Sequence, residues 1–525
     1  MSSHLHPASG TLYEVFADTA ERLPDAPAVE LPGRTLTYGE LRQAADALAL
    51  RIRTLGPTTA RVGLLATRSA VAFVGYLATL RLGAAVVPLN PEHPDDRLAR
   101  VREQAAVDVV VADPAVRRGD HAWADGLPVL SLTDDDALAA APGGTLPPYR
   151  PDPDATAYVL FTSGTTGRPK GMPLRHRHVL PFVRECLARF EVGPGCRMSH
   201  TFDLSFDPSV YDLFVTWAGG AVLVVPDRGE MFSPVDYVAR RALTHWFSVP
   251  SAVSVSAQLG RLPTGPTTGA APPGEITPPG EITTLRFSAF GGEQFTLDQA
   301  RAWHAVAPGS RIDNVYGPSE TAVACAAYRL PRDPAQWPRT SNGTVPIGQV
   351  FDHLEPLHDA ATGELCVRGP QRFDGYVDPR DDTGRFLGPG DGGRPGPEHF
   401  FRTGDRVAFE DGQLVHLARL DDQVKIRGLR VEPGDVEAAM RRLPQIQDVV
   451  VTAVRRSDIA ELVACYTGEA VPPRDLVRAL RASLPVHLVP RRFLHLATLP
   501  LNTNGKTDRR ALRALALRAA RTGTP

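Results

Sequence analysis

Residues 161–171 read Phe161-Thr162-Ser163-Gly164-Thr165-Thr166-Gly167-Arg168-Pro169-Lys170-Gly171 and follow an apolar run, Ala157 to Leu160, that reads as a strand. The glycines keep backbone N–H groups accessible, so a turn of this composition can wrap an oxyanion. Hydroxyls from Thr162, Ser163, Thr165 and Thr166, together with Lys170, surround them. Such a loop suits a polyphosphate. It is not a Walker A loop, because the glycine-to-lysine spacing of that loop is absent.

Upstream, the chain alternates between two hydrophobic periods. Residues 39–55 place Leu41, Ala45, Leu48 and Ile52 on one helical face. The short run 61–66 reads as a buried strand, 70–82 as a helix, and Gly83 to Leu89 as another buried strand. A helix from residue 97 then leads through Asp108 into the apolar run Val109 to Ala112. Strand, helix, strand at this spacing predicts α/β architecture, with parallel sheets covered by helices.

Downstream, residues 263–284 break the pattern. They carry Pro272-Pro273-Gly274-Glu275-Ile276-Thr277 and then the same six letters again, and read as a surface loop. After residue 420 a compact α+β pattern begins: strand 423–427, helix 434–442, strands 447–454 and 461–467, helix 473–484. The expected division is therefore a large unit, residues 1–420, and a small mobile one, residues 421–525, joined by a hinge.

Composition narrows the function class. The chain has 525 residues, 43% apolar and 22% charged, with a formal net charge of -2. That balance is ordinary for a globular protein and lacks the basic excess of a nucleic-acid binder. The cysteines, Cys186, Cys196, Cys325, Cys366 and Cys465, show no metal-ligand spacing and read as buried free thiols. No basic-then-apolar leader opens the chain, and no apolar run approaches the roughly 18 residues that span a bilayer. A cytoplasmic protein with no membrane partner is expected.

A second segment, Asn314-Val315-Tyr316-Gly317-Pro318-Ser319-Glu320-Thr321, packs an aromatic ring, a tight turn and a carboxylate together. Tyr316 could stack on a base, and Glu320 could hold Mg²⁺ through oxygen. Taken with the first loop, it makes the chain resemble the adenylate-forming superfamily: acyl-CoA synthetases, luciferases and nonribosomal peptide adenylation domains. Further family motifs follow in order, among them Phe206-Asp207-Pro208-Ser209-Val210-Tyr211, Gly291-Gly292-Glu293, Arg402-Thr403-Gly404-Asp405, Arg419 to Gly428, and Asn504-Gly505-Lys506.

The resemblance implies roles. Lys170, with Thr162, Ser163, Gly164, Thr165, Thr166 and Gly167, matches a pyrophosphate cradle. Gly291, Gly292, Asn314, Tyr316 and Gly317 match the adenine side. Ser319 and Glu320 match positions near the α-phosphate and Mg²⁺. Asp405 matches a carboxylate on the ribose hydroxyls, Arg419 a ribose or phosphate contact, and Asp421 the hinge. Lys506 matches a lysine between the substrate carboxylate and the α-phosphate, where a cation stabilises the meeting of two anions.

Substrate class hangs on Asp207. In the peptide-synthetase branch this aspartate pairs with an α-ammonium. It also reads as an N-cap before Pro208, and Asp203 stands close enough to be mistaken for it. The family register implies amino-acid-binding positions Asp207, Pro208, Tyr211, Phe247, Ser288, Phe290, Val315, Val323 and Ala324, with Phe290 shortening the cavity. A small neutral amino acid is expected: alanine, then glycine, serine, 2-aminobutyrate or proline. Neither a carrier attachment motif nor a condensation motif is found, and His176 and His178 do not fit the latter. ATP and Mg²⁺ are thus the expected cofactors, and a separate carrier protein with a phosphopantetheine arm the expected acceptor. An acyl- or aryl-CoA ligase, a non-catalytic nucleotide-binding protein and a domain severed from a larger synthetase are the alternatives.

Overall fold

The computed structural model describes residues 10–56, 58–117, 121–140, 143–162, 168–262, 281–389, 394–421, 423–456, 459–500 and 507–522. The tandem hexapeptide lies almost wholly outside them, as do Lys506 and residues 163–167 of the glycine-rich loop.

The predicted alternation is present. Helix Tyr38–Leu55 starts at a reciprocal cap: Thr37 accepts from the Glu40 N–H, and the Glu40 side chain returns to the Thr37 N–H. It buries Leu41, Ala45, Leu48 and Ile52, the stripe read from the sequence. Strands Arg61–Leu65 and Ala85–Pro88 and helix Ala70–Arg81 follow. That helix is buried from Ala70 through Leu80, as an apolar-all-round helix must be.

A six-stranded sheet runs Val129–Ser131, Val109–Ala112, Arg61–Leu65, Ala85–Pro88, Thr156–Thr162, Lys170–Arg175. Its pairs are parallel except the last, which is an antiparallel hairpin with Thr162 opposite Lys170. A nine-stranded sheet carries Arg197–Ser199, His245–Ser248, Phe287–Gly291 and Arg311–Tyr316 side by side and parallel near its centre. One apolar cluster, with Val62, Phe73, Trp217 and Phe247, draws residues from both sheets. Parallel strands present their C-terminal ends on one edge, so Phe247, Gly291 and Tyr316 emerge together there.

Residues beyond 420 build a core of their own, including Val436, Met440, Leu462, Tyr466 and Phe493. Strands Ile446–Arg456, Ile459–Gly468 and Arg492–His495 form a sheet, flanked by helices Pro433–Met440, Pro473–Arg481 and Arg509–Thr522. A separate hairpin, Val424–Ile426 with Leu429–Val431, turns at Arg427 (φ 51°) and Gly428 (φ 78°). The chain is thus α/β, a large N-terminal body of helix-covered sheets followed by a small α+β one.

Candidate active site

Two cavities that share lining residues, among them Gly292, Asp405 and Lys425, open where the strand ends meet the 424–431 hairpin. The larger, of about 560 Å³, is lined by Gly292, Asn314, Tyr316, Gly317, Asp405 and Arg419, among others. Asp405 is one of its charged lining residues. Its carboxylate accepts from the Tyr316 hydroxyl at 2.7 Å, lies 2.9 Å from His416 Nε2, and sits 3.2 Å from Arg419 Nη1. Burial alone would raise the Asp405 carboxyl. The His416 hydrogen bond and the Arg419 charge outweigh burial and hold it well below the usual carboxylate range. An ionised carboxylate hydrogen-bonded beside an aromatic ring suits a nucleoside; Glu293 and Asp421 also line this cavity. Asn314 is spent differently from an exposed reader: its amide donates to the carbonyls of Val345 and Pro346 at 3.0 and 2.9 Å, fixing the pocket wall.

The smaller cavity, of about 110 Å³, is lined by Thr162, Asp207, Pro208, Phe247, Gly291, Val315, Ser319 and Val323, with Lys425 and Arg430 from the hairpin. Asp207 precedes the short helix Pro208–Val210, yet its side chain makes no capping hydrogen bond. It faces the cavity and hydrogen-bonds Ser319. Burial pushes its carboxyl up to about 6, opposed by Ser319 and the Lys425 charge. Asp203 is committed elsewhere, its Oδ1 accepting from the Ser205 N–H at 3.0 Å and the Ser205 hydroxyl at 2.5 Å. The two aspartates are thus told apart by what they touch.

Expected wall residues divide into two groups. Phe247, Val315, Val323 and Pro208 line the cavity, and Tyr211 stands behind Phe247 with ring centroids 4.9 Å apart. Ala324 is buried under Gly317, where a Cβ would lie 2.5 Å from Ala324 Cα. Ser288 and Phe290 do not line the cavity, which corrects the sequence-based expectation. Ser288 Oγ shares a hydrogen bond with Ser310 Oγ at 2.7 Å and accepts from Trp303 Nε1 at 2.8 Å. Phe290 packs on Phe295 and Trp246 at 4.5 and 5.4 Å. Both belong to the opposite face of strand Phe287–Gly291. Side chains alternate along a strand, so a one-residue slip exchanges the faces. Ala289 joins the cluster that contains Phe247, and Gly291 lines the cavity in their place.

After the glycine-rich stretch, Lys170 Nζ stands 3.9 Å from Asp381 and 5.9 Å from the Tyr376 ring centroid. Arg168 bridges Asp378 at 2.6 Å and Asp381 at 3.1 Å, pinning the chain after the loop. Glu320 is fully buried. Its Oε1 accepts from the Tyr376 hydroxyl at 2.5 Å and Arg430 Nη1 at 2.8 Å, whereas Oε2 has no hydrogen-bond partner among the described residues. A buried, half-satisfied carboxylate fits a divalent cation. Among the described residues no cluster of three or more His, Cys, Asp or Glu surrounds it. One carboxylate plus substrate phosphates is the usual Mg²⁺ arrangement. The turn after Glu320 is strained, since Ala322 and the β-branched Val323 have φ of 50° and 79°.

His416, Lys425, Arg430 and Ala289 went unassigned in the sequence reading. Lys425 stood within the quoted stretch Arg419 to Gly428, and Arg430 lies two residues beyond it. His416, which lies on the strand opposite Asp405, had no local signal.

Residues 16–377 match the family described as AMP-binding enzyme. The phosphinothricin tripeptide synthetase PhsC of Streptomyces viridochromogenes is 35% identical over 96% of this chain, which spans 45% of that protein. Across the first three curated relatives, the chain spans between 6% and 45% of their length. The crystal structure of IdnL7 is 34% identical, covers 97% of this chain and 99% of its own, and superposes with a TM-score of 0.67. The Vibrio cholerae adenylation domain AlmE, solved with glycyl-adenosine-5'-phosphate, shares the fold at a TM-score of 0.79 and 24% identity, over 99% of this chain and 100% of its own.

Proposed function

The chain belongs to the AMP-binding enzymes of the adenylate-forming superfamily, and from that premise we propose that it activates a small neutral amino acid with ATP and passes it to the thiol of a carrier protein. The observation that carries this reading is the placement of Asp207. Its carboxylate is free of capping duty and lines a cavity that also reaches Asp405 and Arg419 of the nucleotide pocket. A buried carboxylate facing a substrate favours a cationic partner and rejects an acid that lacks the amine.

In this reading the substrate ammonium pairs with Asp207, and Phe247 closes the side-chain pocket. Phe247 is itself braced by Phe202 and Tyr211, with ring centroids 5.0 and 4.9 Å away. That wall, rather than Phe290, limits size, and alanine remains the first candidate, followed by glycine, serine, 2-aminobutyrate and proline. A carboxylate oxygen attacks the α-phosphorus, and the bond to pyrophosphate breaks. Asp405 holds the ribose hydroxyls, with Tyr316 beside the base, and Lys170 and the glycine-rich loop hold the phosphates. When bound at Glu320, Mg²⁺ would neutralise phosphate charge. Lys506 serves between the two anions, and catalysis rests on positioning and electrostatics. In the second half the carrier thiolate attacks the acyl carbon and AMP departs. The small unit, residues 421–525, turns about Asp421 between the halves.

The test is amino-acid-dependent ATP–pyrophosphate exchange across the proteinogenic set, 2-aminobutyrate, D-alanine, and several aryl and fatty acids. Strong exchange with alanine, glycine or serine, lost in Asp207→Ala and Lys506→Ala, is the expected result. Exchange confined to acids without an α-amine would move the protein to the acyl-ligase branch.

A further inference from the structure

Phe247 lines the smaller cavity, but the two rings that brace it, Tyr211 and Phe202, do not. Both braces depend on neighbouring residues of one turn. Residues Tyr211–Val215 form a turn of π-helix between helices Pro208–Val210 and Thr216–Gly219, a widening often found at functional sites. Tyr211 packs on Phe247 directly. Asp212, the next residue, faces the segment 200–207 instead. Its Oδ2 accepts from the Thr201 N–H at 2.8 Å and the Phe202 N–H at 3.2 Å. The same segment is held from two other sides. Arg68 Nη2 donates to the Thr201 carbonyl at 2.7 Å, and the His200 N–H donates to the Tyr237 hydroxyl at 3.1 Å.

Asp212 and His200 are fully buried and stand 3.4 Å apart. Asp212 Oδ1, both ring nitrogens of His200 and Arg68 Nε have no hydrogen-bond partner among the described residues. Burial pushes the Asp212 carboxyl up, opposed by its two N–H donors and the Arg68 charge. A buried polar cluster so incompletely satisfied is a poor source of stability. What it supplies is a fixed path for the chain from His200 towards Asp207.

We infer that Asp212 is a positioning residue for substrate size: by holding the backbone at Phe202 it keeps that ring against Phe247, and so sets where the pocket wall stands. This rests on the reading of Phe247 as the size-limiting wall. The chain of contacts is short. The Asp212 carboxylate fixes the Phe202 N–H, the Phe202 ring lies 5.0 Å from the Phe247 ring, and Phe247 lines the cavity. Without that acceptor two backbone N–H groups lose their partner and the segment relaxes to satisfy them. Phe247 then keeps Tyr211 and loses its second brace, so the pocket lengthens. The nucleotide pocket is spared, because Tyr316, Asp405 and Arg419 stand on other elements.

The experiment measures the ratio of kcat/KM for a larger acid over a smaller one, within whichever class of acid supports pyrophosphate exchange. Asp212→Leu should raise that ratio about tenfold and raise KM for the smaller acid, with the Kd for ATP unchanged. Asp212→Asn, whose amide oxygen still accepts, should return most of the parent ratio. In the Phe247→Ala background Asp212→Leu should change the ratio no further, because the wall it positions is gone. A merely structural role would lower the melting temperature without moving the ratio. Should Asp212→Leu fail to fold, Asp212→Ser carries the same expectations. An unaltered ratio in the folded variant, or an equal effect with and without the Phe247 ring, overturns the inference. Failure of the wall reading has its own sign: Phe247→Ala alone leaves the ratio unchanged, and the inference falls with it. Because the ratio is taken within one class of acid, an exchange panel that moves the protein to the acyl-ligase branch leaves this test in force.

Discussion

Arg419 grips Asp421 with two parallel hydrogen bonds, Nε to Oδ1 at 2.9 Å and Nη2 to Oδ2 at 2.7 Å. Its third nitrogen, Nη1, donates to the Thr403 carbonyl at 2.8 Å and stands 3.2 Å from Asp405. One planar side chain therefore ties the proposed hinge residue to a carboxylate of the proposed nucleotide pocket, a task suited to the guanidinium fork.

Removing that fork should weaken nucleotide binding. Hydrogen bonds to charged groups contribute about 1.5–3 kcal/mol, and each 1.4 kcal/mol is about tenfold in affinity. Arg419→Ala should thus raise the Kd for ATP at least about tenfold, and Arg419→Lys should recover only part of it. Calorimetric titration with ATP checks this, and an unaltered Kd would contradict the role.

Asp207 gives a pH signature. Its carboxyl is pushed up to about 6 by burial, so below that pH it is neutral and offers no charge to an ammonium. In the free enzyme, kcat/KM for the amino acid should fall about tenfold per pH unit below about 6 and level off above it. Asp207→Asn should remove the inflection as well as most activity. The stability sign is opposite. The folded value lies above the ordinary carboxylate value, so the contribution of this group is present at low pH and lost as pH rises through about 6. Asp207→Asn should therefore melt higher than the parent at pH 8, which calorimetry reads directly.

The two faces of strand Phe287–Gly291 can be separated by substitution. Ser288→Ala breaks hydrogen bonds to Ser310 and Trp303 and leaves a buried indole N–H unpaired, at a cost of about 1–3 kcal/mol. Denaturant melts should show that loss, while the ranking of amino acid substrates stays the same. Gly291→Ala places a Cβ 2.8 Å from Val315 Cγ2 and 3.3 Å from Phe247 Cε2, and should abolish exchange. A substrate ranking altered by Ser288→Ala would reverse the face assignment.

Phe247 is the wall to move. Phe247→Ala should admit larger side chains, with the ratio of kcat/KM for leucine over alanine rising by roughly 10- to 200-fold per methylene accommodated. Competition between the two amino acids in the exchange assay measures the ratio.

Much of this protein could be read from residue order. Apolar runs such as Val109 to Ala112 and the stripe on Tyr38–Leu55 follow from periodicity, because each is a local consequence of which side chains leave water. Tyr316 and Glu320 stood out beside the turn at Gly317 and Pro318, whereas Asp405 was singled out only through the resemblance to the adenylate-forming superfamily. What the sequence could not decide was orientation and partnership. Strand Phe287–Gly291 is buried at every position, and a strand covered on both faces has no polar alternation from which to read its register. Only packing against Trp303 on one side and Phe247 on the other assigned Ser288 and Phe290 to the core and Gly291 to the cavity. Asp203 and Asp207 likewise looked alike until Ser205 claimed the first. The Arg430–Glu320 pair belongs wholly to the tertiary structure: two charges far apart in the chain meet because a buried carboxylate must find a cation, and the fold determines which one.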